Sequence, residues 1–83
     1  MNALDFERLL RRELHARRLA DLRRLLPRLR DEWQRIAANT GVTVAALARF
    51  VRGEDEPQPA MVSKVHDYVL PLVARRERIR GPR

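Results

Sequence analysis

The chain has 83 residues, a net charge of +7 and no cysteine. That length supports one small domain with a marginal core, to which a second copy or a bound partner could add stability. Disulfides, thiolate metal sites and cysteine nucleophiles are excluded. His15 and His66 stand far apart without surrounding ligands, which argues against a zinc site. No run approaches the ~20 apolar residues a bilayer requires. The opening MNALDFERLLRREL turns charged at once, unlike a signal peptide. The expectation is a cytoplasmic protein with no membrane partner.

Asp5 is suited to cap a helix that begins near Phe6. Phe6, Leu9, Leu10 and Leu14 recur at helical spacing, and Leu19, Leu22, Leu25, Leu26 and Leu29 follow in the same rhythm. The two stretches form one long helix or two. The polar HARR at 15–18 suggests two, over about 5–17 and about 19–26. Pro27 should kink or end the helix near Leu26 unless it sits in a first turn. Trp33, Ile36 and Ala37 form the apolar stripe of a short helix within DEWQRIAAN, residues 31–39. Gly41 can take a positive φ, and Thr43 is a good cap for the next helix, VAALARFVRG. There Val44, Leu47, Phe50 and Val51 are expected to point inward, with Gly53 ending the helix. The acidic, proline-containing EDEPQPA at 54–60 reads as a loop. Met61, Val62, Val65, Tyr68, Val69 and Leu72 predict a helix from 60 or 61 to about 70, interrupted at Pro71 and briefly resumed over Leu72–Ile79. The terminal IRGPR is expected to fray. No alternating apolar run suggests a strand, so the expected fold is all-α.

Two short helices joined by a tight Gly-containing turn fit a helix-turn-helix. Ala37 is small where the helices cross, Gly41 permits the turn, Val42 plugs the angle, and Leu47 and Phe50 close the core against Ile36. On these residues the stretch 33–69 resembles the lambda-repressor-like (Cro/C1-type) helix-turn-helix family, especially its small phage or prophage regulators. Leu22–Leu29 would match the family's first helix, and residues 1–20 lie outside the shared core. The resemblance implies a lambda-repressor-like helical bundle that binds operator DNA as a dimer, with its second motif helix in the major groove. Thr43, Val44, Ala45 and Ala46 would then face the groove entrance, with Arg49 one turn later. Arg49 and Arg52 would reach base edges or phosphates. The family often has glutamine where this chain has Trp33, so Gln34 is the candidate phosphate contact instead. The helix start Val44-Ala45-Ala46 is apolar where the family is usually polar, so it can touch a thymine methyl but cannot form hydrogen bonds. Lys64, after the loop, is a further phosphate candidate. The chain divides into a helical extension (1–18), a DNA-binding domain (19–72) and a basic C-terminal tail (73–83).

Charge supports a polyanion partner but is unevenly spread. Residues 1–31 carry nine Arg against five acids, 32–60 three against four, and 61–83 six Lys or Arg against two. Arg8, Arg11, Arg12, Arg17 and Arg18, and likewise Arg75, Arg76, Arg78 and Arg80, either follow phosphates or solubilise helix ends. Leu9, Leu10 and Leu14 have more to bury than a lone helix allows, so they pack on the domain or on a second copy; a dimer contact is the leading reading, since two half-sites would double the small reading surface. Trp33, Phe50 and Phe6 read as core, and Tyr68 as packing with its hydroxyl at the rim. There is no nucleophile–base pair and no Gly-rich phosphate cradle, so neither an enzyme nor a bound cofactor is expected. The leading reading is a sequence-preferring double-stranded DNA regulator, a dimeric repressor. The alternative is a protein-interaction module or inhibitor that reuses the fold without operator recognition.

Overall fold

The computed structural model describes residues 2–54 and 57–80, which contain helix and connecting turns and no strand. Four α-helices follow one another: α1 (Ala3–Leu25), α2 (Trp33–Thr40), α3 (Val44–Arg52) and α4 (Pro59–Arg80), with a 3-10 segment over Leu26–Glu32 between α1 and α2. The all-α expectation holds. The end of the IRGPR tail, 81–83, lies outside the described residues.

Helix α1 starts earlier than expected and runs without the expected break, and it ends beside Pro27 as expected. Its cap is Asn2, whose side-chain oxygen accepts the Asp5 N–H at 2.9 Å. Asp5 sits instead in the first turn, where a negative charge complements the helix dipole. The expected break near 17–18 is absent, because Ala and Arg are among the strongest helix formers and a polar run needs no apolar partner to stay helical. The helix ends at Leu25 because Pro27 lacks an N–H and its ring opposes the carbonyl of Arg23. Pro27 lies in the first turn of the 3-10 segment, where its missing donor costs little. At Leu29 the backbone leaves helical geometry (φ −117, ψ 27) and swings toward α2. The Trp33 indole N–H reaches back 2.8 Å to the carbonyl of Leu26, pinning this corner from inside.

Helix α4 runs through Pro71 without interruption, against expectation. An interior proline costs about 3 kcal/mol. Pro71 faces solvent, and Val69 and Leu72 are buried on either side of it, so packing holds both halves in one line.

The core draws on every helix: Leu22 from α1, Leu26 from the 3-10 segment, Ile36 from α2, Leu47 from α3, and Val62 and Val69 from α4 are almost wholly buried. Only the second half of α1 joins it. Residues 2–14 are all exposed, including Leu4, Phe6, Leu9, Leu10 and Leu14. Phe6, expected in the core, is 53% exposed, because α1 extends past the elements that could cover it. The α1 helix crosses 18/19 and α4 crosses 72/73, so neither proposed boundary coincides with a break in a helix.

Candidate nucleic-acid interface

The α2–α3 connection is three residues long, 41–43, and its backbone groups are closely accounted for. Gly41 takes φ +77 and donates its N–H to Ala37 at 2.9 Å, closing α2 in the left-handed conformation that glycine tolerates best. The buried Thr40 hydroxyl donates to the Ile36 carbonyl at 2.7 Å and accepts the Val42 N–H at 3.3 Å. Val42 is buried in the angle between the helices. The Thr43 side chain accepts the Ala46 N–H at 3.0 Å, capping α3 as expected. Gly53, with φ +74, ends α3.

Leu47 and Phe50 turn α3 inward, and Val51 is half-buried. Val44, expected inward, is 39% exposed instead. Around the helix it lies between the half-buried Val51 and Ala48, but as the first residue of α3 it sits at the end of the helix, where less of the core reaches it. The opposite face carries Ala45, Arg49 and Arg52, all exposed. Arg52 pairs with the carboxylate of Glu54 just past the helix end. Ala46, expected to face a groove, is half-buried against the core, so its methyl is largely committed to packing.

Thr43 and Ala46 meet Lys64 across an open hollow also lined by Thr40, Gly41 and Met61. The hollow brings the start of α3 against the first turns of α4, with the exposed Lys64 at its rim. Gln34 is exposed in the first turn of α2 and does not line this hollow. Arg23 of α1 was not anticipated: its guanidinium lies 5.5 Å from the ring centre of Phe50, at the seam between α1 and α3. In the sequence it is one arginine among many.

Other polar and charged side chains fasten the bundle. His66 Nε2 lies 3.1 Å from Asp21 Oδ2, linking α4 to α1. Arg76, one of the tail residues expected to follow phosphates or solubilise a helix end, pairs with Asp31 and lies 3.6 Å from Glu32. It is a tie between α4 and the 3-10 segment because α4 continues far enough to reach it. Arg30 stacks over Trp33 at 5.3 Å. Among the described residues there is no group of three or more His, Cys, Asp or Glu that could hold a metal ion, and no helix is long and apolar enough to cross a membrane. Comparison with models of known protein families, with curated proteins and with solved structures found no match.

Proposed function

We propose that this protein is a double-stranded DNA-binding regulator built as a lambda-repressor-like bundle, with α2 and α3 as its helix-turn-helix unit and α3 as the reading helix. The observation that carries the reading is the joint presentation of two features. The outer face of α3 offers Ala45, Arg49 and Arg52, and the Thr43–Lys64 hollow borders the start of the same helix. A duplex seated there would meet the α3 N-terminus, where the helix dipole and the Thr43 hydroxyl favour a phosphate. Lys64 adds a positive charge beside it. Arg49 is the base-reading candidate, since arginine pairs with guanine O6 and N7 through two parallel hydrogen bonds. Ala45 and Val44 contribute only apolar contact to thymine methyls, so specificity depends on few positions.

The mechanism is steric: a dimer occupies an operator overlapping a promoter and carries out no chemistry. The exposed Phe6–Leu10–Leu14 stripe of α1 is the surface a second copy would bury. A competing reading, a protein-interaction module, is favoured by the apolar start of α3 and by the pairing of Arg52 with Glu54. The deciding experiment is selection from random double-stranded DNA in moderate salt, with the mass of the complex measured. Enrichment of a palindrome in a two-copy complex supports the regulator. Binding without enrichment removes sequence preference, and no binding transfers the case to the protein-interaction reading.

A further inference from the structure

We infer that the free N-terminal half of α1 is a second contact to the DNA backbone, with Arg8 and Arg12 binding phosphates of a duplex seated on α3. The inference depends on the DNA-binding reading above and extends it to a part of the chain outside the α2–α3 unit. Three features of the fold lead to it.

The first is the register of α1 against α4. Asp21 meets His66, 45 positions on, and Leu25, a turn later in α1, shares a hollow with Val73, later in α4, so the two helices run in the same direction. That register sets Pro59, the first residue of α4, level with Leu14. Residues Ala3–Glu13 therefore project beyond α4 by about 16 Å at 1.5 Å per residue. They project at the end of the bundle that holds the first turns of α4, and with them the hollow shared by Thr43 and Lys64. A duplex approaching that end meets the arm.

The second is which side of the arm faces α3. Arg23 contacts Phe50 of α3, and Asp21 contacts α4, so the two flanks of α1 are identified by their neighbours. At about 100° per residue, Arg12 lies within about 20° of Arg23 and Arg8 within about 60°, both on the α3 flank. Phe6, Leu10 and Leu14 fall on the α4 flank, within about 60° of Asp21. Arg11 and Arg17 point elsewhere. The third feature is a shallow hollow on the arm lined by Asp5, Arg8, Leu9 and Arg12. It carries two positive charges against one negative, so its balance favours an anion.

The test measures affinity for a selected duplex, extended by about ten base pairs on each side, across 50–200 mM salt for three proteins. These are the wild type, an Arg8→Ala/Arg12→Ala variant, and an Arg11→Ala/Arg17→Ala variant with the same net charge. All four positions are exposed and alanine favours helix, so folding is preserved. Each phosphate contact contributes about 0.9 to the slope of log K against log salt. The Arg8/Arg12 variant should show a slope shallower by about 1.8 per bound copy, so that for each copy in the complex the wild type loses about tenfold more affinity across this salt range. The Arg11/Arg17 variant should stay near the wild type. Equal effects in both variants, or no change in the Arg8/Arg12 variant while the wild type binds, overturn the arm contact and leave the DNA-binding reading standing. A wild type that binds no duplex overturns both.

Discussion

Replacing Gly41 tests the geometry on which the α2–α3 unit depends. The residue sits at φ +77 with its N–H bonded to Ala37, and a Cβ added there would meet no atom within 4 Å. Steric collision with neighbours therefore contributes nothing, and the cost of a substitution is the intrinsic penalty of left-handed backbone. For Gly41→Ala that penalty is about 1–2 kcal/mol. It is partly offset by about 0.4–1 kcal/mol, because alanine restricts the unfolded chain. The net loss is about 1 kcal/mol, which in a domain of this size lowers Tm by about 4–8 °C. Gly41→Asn should lose less, since asparagine visits this region more readily, and Gly41→Val should lose more. Thermal unfolding followed by circular dichroism gives the order Gly, Asn, Ala, Val. Valine as stable as glycine would mean that the turn does not hold the left-handed conformation, and the three-residue connection would need another explanation.

Arg49→Ala should weaken binding to a selected operator by about 1–3 kcal/mol while changing non-specific affinity far less. Equal loss on both DNAs would remove its base-reading role. Trp33→Phe keeps most of the apolar contact but leaves the Leu26 carbonyl without its indole donor, at a cost of about 1–3 kcal/mol in urea unfolding. A loss under about 0.5 kcal/mol would show that water replaces that bond. The exposed Leu10 and Leu14 contribute little to the fold of one copy, so Leu10→Ser/Leu14→Ser should convert a two-copy mass to one in light scattering and remove the concentration dependence of Tm. A wild type that already runs as a single copy at high concentration would reject the stripe as a dimer surface.

Much of the α2–α3 region is legible in the residues themselves. Gly41, Thr43 and Gly53 have local preferences strong enough to set helix ends, and each does so here. Leu47 and Phe50 are buried as their spacing implies, because a short helix between two turns has only one face to turn inward. Thr43, Arg49, Arg52 and Lys64 are found at the surface, whereas Ala46 is drawn into the core and Val44 out of it. Ala46 sits at the margin of the buried stripe and Val44 at the end of the helix, and at both places periodicity alone does not decide.

The sequence by itself determined the helical class, the tight turn at 41–43 and the caps on either side of α3, because these follow from backbone preferences that act within a few residues. Tertiary structure decided the rest. Pro71 stays inside a helix because Val69 and Leu72 are held by neighbours distant in the chain. Phe6, Leu10 and Leu14 have the same apolar rhythm as Leu22 and Leu25, yet remain exposed because, among the described residues, no other element packs over that end of α1. Arg76 becomes a tie to Asp31 and Arg23 a cap on Phe50, though no local feature separates them from the other arginines. Periodicity states which side chains can share a face. Only the arrangement of the helices states what, if anything, covers that face.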